Sequence, residues 1–174
     1  MKQRLKTWLH SFASYTYPVS YFTPSDCSQD WVRHGNSCYP VIDTPIAKWS
    51  DARTTCQNLG GDLAIIRSED ENNFTCDLVM TQQTVQGWGA WRGLTRKTNN
   101  TFYWIDDTPL AGQYSAWASG EPSNSTNENC VHTFNELYRE GKWNDNKCNL
   151  RRGLRFKAPV ILCQKKKKQY RYGH

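Results

Sequence analysis

Apolar and polar positions along this chain follow two periods, and the changes between them mark out its elements. Ile46, Trp49, Ala52, Cys56 and Leu59 recur at spacings of three and four, the pattern of one buried helical face, and Gly60-Gly61 supplies its stop. A second helix is predicted from Ser68. There Ser68-Glu69-Asp70-Glu71 has the form of a capping box, the Ser68 hydroxyl accepting from the amide three residues on while Glu71 reaches back. Phe74 and Leu78, one turn apart, are its apolar contacts. Short runs read as strands: Trp31-Val32 and Cys38-Tyr39 around a turn at His34-Gly35-Asn36, then 62–66, an aromatic strand at 87–94 with its hairpin partner at 102–105, then 130–134, 142–144 and 159–163. The strands at 130–134 and 142–144 are joined through a turn at 138–141. From 106 to 129 regular patterning stops. Pro109, Gly112, Gly120 and Pro122 supply turn chemistry there, and a loop of this length is usually functional. Tyr39, Trp88 and Trp104 are assigned to the core rather than to ligand stacking.

At 174 residues the chain has room for one domain with modest extensions. Seven cysteines without CxxC or zinc-type spacing point to disulfides, hence to an oxidising compartment and secretion. Six can pair, in 15 ways on sequence grounds, and one is left over. Cys76 is the natural odd one, because it lies about 200° around the second helix from Phe74 and is predicted to point away from the packed face. A partly shielded free thiol is one use of it and a disulfide-linked dimer the other. Sequons at Asn73, Asn99 and Asn124 agree with secretion. No run of 18 apolar residues exists, so no membrane-spanning helix is expected. Residues 1–6 have the charge of a signal n-region, but 8–22 contain no clean apolar stretch, which makes the export signal missing or atypical. Either the true start lies upstream or the chain is a piece of a larger extracellular protein.

The net charge of +6 is unevenly spread. Ten of the 22 Lys and Arg lie in 147–174, which has no acid, and the remaining 12 face all 16 acids. Basic charge confined to one end, rather than lining a folded face with interleaved aromatics, argues against nucleic acid as partner. Arg151, Arg152, Arg155 and Lys157 with the lysines at 165–168 would instead suit sulfated glycans or anionic surfaces, and 165–174 reads as a basic, disordered tail.

Candidate chemistry gathers between Glu121 and Cys148. Glu121, Glu128 and Asp145 supply carboxylates, Asn144 an amide and Ser123 a hydroxyl, hard oxygen donors of the kind Ca²⁺ takes from separated loops. Catalysis is not expected. Glu121 and Glu128 imitate a carboxylate pair but serve better as metal ligands, and His34 and His132 have no visible nucleophile partner.

Taken in order, several marks resemble a C-type lectin domain over about 27–164. They are Trp49-Ser50-Asp51-Ala52 with Cys56, Gly61-Asp62-Leu63-Ala64, Trp91-Arg92-Gly93-Leu94, Glu121-Pro122-Ser123, Trp143-Asn144-Asp145 and Cys163. The resemblance implies an α+β fold of two helices with small antiparallel sheets and a long Ca²⁺-binding loop region, its termini adjacent. It also implies the pairs Cys56–Cys163, Cys130–Cys148 and, as in the long form of the family, Cys27–Cys38, leaving Cys76 unpaired. An N-terminal extension (1–26), the domain (27–164) and the tail (165–174) are the organisation expected. One Ca²⁺ held by Glu121, Ser123, Glu128, Asn144 and Asp145 is implied, with the same residues binding cell-surface or microbial glycans. Each acid would accept a sugar O–H while an amide donates to the same oxygen, Glu128 with Asn144 forming one such pair.

The chain departs from the family at three places. Ser123 stands where Asn or Asp sets the sugar in other members, and a hydroxyl that donates or accepts fixes neither polarity. The loop Thr95-Arg96-Lys97-Thr98-Asn99-Asn100 has no carboxylate for a second ion, so one is expected. A glycan on Asn124 would stand beside the sugar site. Two other functions therefore stay open: a protein-binding C-type lectin-like domain without sugar binding, and a polyanion binder acting through the basic C-terminal region.

Overall fold

The computed structural model describes residues 27–84, 89–123, 125–134, 141–150 and 158–166. The expectations for 1–26, Trp88, Asn124, most of the 138–141 turn, Arg151, Arg152, Arg155, Lys157 and 167–174 fall outside them. The architecture is α+β, as expected. In chain order the elements are β1 (Val32–His34), β2 (Ser37–Tyr39), β3 (Val41–Ile42), α1 (Trp49–Asn58), β4 (Asp62–Leu63), α2 (Glu69–Gln82), β5 (Ala90–Arg96), β6 (Phe102–Trp104), β7 (Cys130–Thr133), β8 (Trp143–Asn146) and β9 (Val160–Lys166). The sheet runs β1-β2-β9-β5-β7-β8, with β3 and β4 also on β9 and β6 on β5. Only the β5–β9 pairing is parallel among these; the others are antiparallel.

Helix α1 packs through Ala52 and Cys56, both wholly buried, against Leu63, Trp91, Ile161 and Cys163. Its predicted face is too long at both ends. Ile46 precedes the helix and donates its amide to Pro159 O at 3.0 Å, and Leu59 is the C-cap, 43% exposed because the chain has left the helical path there. The stop lies at Gly60, with φ of +76°, and at Gly61, where a Cβ would stand 2.6 Å from the Gln164 carbonyl oxygen. Helix α2 begins after Ser68, whose Oγ accepts from Glu71 N at 3.1 Å. Glu71 reaches back one residue further than a capping box requires, accepting from Arg67 N at 2.7 Å.

All three disulfides implied by the resemblance are formed, and Cys76 takes part in none of them. Cys56–Cys163 ties α1 to β9 across a separation of 107 residues, worth about 4–5 kcal/mol by loop-closure entropy. Cys76 lies on a second packed face of α2 rather than on an unpacked one, contrary to the helical-wheel expectation. It is half-buried, 3.9 Å from Arg92 Nη2 and close against Gly141, because α2 is packed on two sides. Asn72, one turn earlier, donates to Gly141 O at 3.0 Å and accepts from Trp143 Nε1 at 2.8 Å.

Two boundaries move. The strand expected over 62–66 pairs only through Asp62–Leu63, although Ala64, Ile65 and Ile66 are buried behind it. Lys165 and Lys166, assigned from sequence to the basic tail, extend β9 opposite Cys38 and Ser37.

The long loop is fastened by its own aromatics. Trp143, wholly buried, meets Trp104, Tyr114 and Trp117 edge-on at centroid distances of 5.6, 5.9 and 5.8 Å. Its backbone accepts from Ala118 N at 3.0 Å and donates to Ala116 O at 2.8 Å. Residues 116–118 therefore run beside β8, and the segment that follows is carried to the end of the sheet next to Asp145.

Candidate functional site

β7 and β8 form a hairpin in which His132 stands opposite Asn144 and Val131 opposite Asp145. Successive strand residues face opposite ways, so Asn144 and Asn146 lie on His132's side while Trp143 and Asp145 turn inward. His132 is buried, and its Nδ1 lies 2.9 Å from the Thr133 carbonyl, an acceptor only, which requires Nδ1–H. Nε2 then accepts from Asn144 Nδ2 at 3.1 Å, fixing the amide with Oδ1 turned away from the imidazole. His34 is also structural, stacked on Phe74 at 4.2 Å and paired with Asp70 at 3.0 Å.

Four of the five candidate residues form one cluster. The Asp145 side chain is wholly buried; Oδ1 accepts from Ser123 N at 2.7 Å, and Oδ2 lies 3.3 Å from Ser123 Oγ. A hydroxyl has one proton, and the closer acceptor takes it: Ser123 Oγ lies 2.5 Å from Glu128 Oε2 and accepts in turn from Ser125 N at 3.3 Å. Ser123 thus joins two of the acids through its backbone and its hydroxyl. Glu121 completes the group from a half-buried position, with Oε2 buried and lacking any hydrogen-bond partner. Burial, then the close approach of the Asp145 carboxylate, then the charges of Asp145 and Glu128 push the Glu121 carboxyl above its ordinary range, opposed by the backbone at Ser123. Asn144 makes no hydrogen bond to this cluster. Its expected partnership with Glu128 about a shared sugar hydroxyl is not a direct contact.

One member of the site escaped the sequence reading. Arg96, at the end of β5, lays its guanidinium over the Phe102 ring at 4.8 Å and places Nη2 2.5 Å from Asp145 Oδ2 and 2.8 Å from Ser123 O. Nη1 bonds Ser125 O at 3.3 Å and Asn100 Oδ1 at 3.1 Å. The signal was present as a cation in the carboxylate-free loop. Nothing in the spacing ties that loop to an acid 49 residues later.

Whether Ca²⁺ suits these residues is decided by charge and burial. Three carboxylates share one guanidinium, and Glu121 Oε2 is an orphaned buried acceptor, so the cluster is short of positive charge and its donors are the hard oxygens Ca²⁺ takes. The donor set fits the ion. The arrangement shown is the one Arg96 holds: among the described residues no three His, Cys, Asp or Glu side chains stand as a group ready to hold a metal.

Comparison with known proteins follows the same outline. The profile of the Lectin C-type domain matches residues 46–154. CD209 antigen-like protein A of Mus musculus is 35% identical over 125 residues, covering 70% of this chain and 48% of that protein. The chain thus spans about half the length of that relative. Among solved structures, the cow CD23 C-type carbohydrate-recognition domain, determined in the presence of GlcNAc2Man3 oligosaccharide, superposes with a TM-score of 0.65 at 30% identity over 82% of this chain and 97% of that one. The C-type lectin domain of murine dendritic cell inhibitory receptor 2, in complex with N-glycan, gives 0.66 at 27% identity over 81% and 99%.

Proposed function

The chain belongs to the C-type lectin domain family, and from that premise we propose that it is a secreted, Ca²⁺-dependent carbohydrate-binding domain that recognises cell-surface or microbial glycans through Glu121, Ser123, Glu128, Asn144 and Asp145. The observation that carries the reading is the convergence of Glu121, Ser123, Glu128 and Asp145 at the end of β8 with a buried Glu121 oxygen left unpartnered. The glycans present with the cow and murine domains support N-glycan sugars as the ligand class.

A single Ca²⁺, when bound, supplies coordination positions for neighbouring hydroxyls of a pyranose. The chain's own residues supply direction. Glu121 and Glu128 accept sugar O–H groups, and the Asn144 amide, anchored on His132, keeps one N–H and its Oδ1 for the ligand. With its hydroxyl donating to Glu128, Ser123 serves the site by positioning that acid, and sugar polarity falls to Glu121, Glu128 and Asn144. A shallow single site binds a monosaccharide weakly, and useful avidity comes from several copies.

The test is a glycan array probed in Ca²⁺ and in EDTA, with Asn144→Ala and Asp145→Ala alongside. Signal lost in EDTA and in both variants is expected; signal unchanged by EDTA would contradict the reading. The second reading, a protein-binding domain indifferent to metal, is favoured by one observation, the Arg96 guanidinium already seated on Asp145. Partner binding that survives both substitutions would select it. Polyanion binding would show as heparin retention that disappears when the lysines at 165–168 are replaced by Gln, a change that leaves the β9 backbone pairing of Lys165 and Lys166 in place. Dimer formation through Cys76 would require its half-buried sulfur to leave Arg92.

A further inference from the structure

We infer that Arg96 is a built-in competitor for the cation position, its guanidinium and Ca²⁺ alternating as the counter-charge of Asp145. The inference rests on the reading of the cluster as a Ca²⁺ site and specifies what regulates it.

The Arg96–Asp145 pair is not a surface contact. The two side chains are 6% and 0% exposed, and the Nη2 that meets Asp145 also takes the Ser123 carbonyl, so the arginine holds both the acid and the loop that carries the other ligands. Like charges repel strongly in a site screened from water, and an ion on Asp145 Oδ2 therefore excludes the guanidinium from that oxygen. Arg96 has somewhere to remain when displaced. Asn100 Oδ1, Ser125 O and the face of Phe102 still hold it, although its buried Nε has no hydrogen-bond partner, so giving up Asp145 costs Arg96 its direct ion pair but not its remaining contacts. The guanidinium is also an incomplete substitute for the ion. It carries one charge against three acids, reaches neither Glu128 nor Glu121 by a hydrogen bond, and leaves Glu121 Oε2 without a partner.

Two arrangements follow. In one, Arg96 closes the site around Asp145 and Ser123. In the other, Ca²⁺ takes Asp145 with the remaining ligands, and Arg96 falls back on Ser125 and Asn100. Apparent Ca²⁺ affinity is the intrinsic affinity reduced by the fraction of molecules in which Asp145 is free, so the site answers only to high Ca²⁺.

Calorimetric Ca²⁺ titration of the wild type, Arg96→Gln and Arg96→Lys tests this. Arg96→Gln is expected to bind Ca²⁺ about tenfold tighter or more, with Arg96→Lys restoring most of the wild-type weakness. On the wild type itself, the Arg96 Nε–Hε resonance is expected to shift during Ca²⁺ titration, a readout that needs no variant to fold. If wild type and Arg96→Gln bind Ca²⁺ within about threefold of each other and the resonance stays in place, the competition is wrong while the Ca²⁺ site stands. Should no protein in the series bind Ca²⁺, the reading of the site fails and the competition with it.

Discussion

Replacing Arg92 with Met should make this domain more stable. Arg92 lies on β5, a strand buried on both faces, and its residue exposure is 0%. Nε and Nη1 have no hydrogen-bond partner, and Nη2 has a long contact with Cys76 Sγ at 3.9 Å. Burial pulls the guanidinium below its ordinary range, the nearby Cys76, Glu71 and Tyr39 offsetting only part of it. An unsatisfied buried donor costs about 1–3 kcal/mol, more on a charged group, and Met keeps a long, flexible apolar stem while removing both orphans. Against this stand the lost Cys76 contact and a small void at the guanidinium position, so a net gain of about 1–3 kcal/mol is expected, within the range seen when buried charges give way to apolar side chains. For a domain of this size that is a rise in Tm of roughly 3–8 °C. Guanidinium chloride melts of both proteins at neutral pH would measure it, with unchanged m-values showing that the unfolded state is unaltered. A loss exceeding about 1 kcal/mol would refute the reasoning and make the Arg92–Cys76 contact a net stabilising pair, which Cys76→Ala in a double-mutant cycle would quantify.

Glu121 predicts a pH dependence whose sign is set by its raised folded-state pKa: without Ca²⁺ the folded state holds the proton more tightly, so this group's contribution to stability is fully present at low pH and is lost as pH rises through that value. In melts across that range, Glu121→Gln should remove this fall, and saturating Ca²⁺ should flatten it. Opening Cys56–Cys163 by a double Ala substitution should cost about 4–5 kcal/mol in denaturant melts, because the bond closes the longest loop of the three. Ser68→Ala removes the one side-chain cap of α2 and should cost about 1 kcal/mol by the same assay, with Ser68→Asp restoring it.

Much of the scaffold was legible because local chemistry and tertiary packing agree there. The Ser68 cap, the Gly60-Gly61 stop and the hairpin of β1 and β2 depend on residues only a few positions apart, and each formed where its signal stood. The disulfide pairing needed the family resemblance, since the cysteines alone allow 15 pairings. What the sequence hid are contacts made across the fold. Cys76 was placed outward by its angle from Phe74, but a second face of α2 packs near Gly141 and Arg92. Arg92 shows no anomaly in a one-dimensional pattern, because a central strand covered on both sides has no polar face to mark it as misplaced. Arg96 carries no such mark either, because the chemistry of a Ca²⁺ site is written in oxygen donors. A cation enters such a site only when β5, the long loop and β8 are brought together, which the Trp143 stack and the backbone bonds at Ala116 and Ala118 accomplish. Ser123, expected on the ion, also joins Glu128, Asp145 and Arg96 to one another, a role that its hydroxyl alone does not announce.

The central claim, a carbohydrate site that depends on Ca²⁺ at Asp145, is tested most directly by titrating immobilised GlcNAc2Man3 oligosaccharide with the domain across a range of Ca²⁺ concentrations, Asp145→Asn serving as the control. Binding that appears with Ca²⁺, vanishes in EDTA and is absent from Asp145→Asn is the predicted result; equal binding by both proteins in EDTA would contradict it.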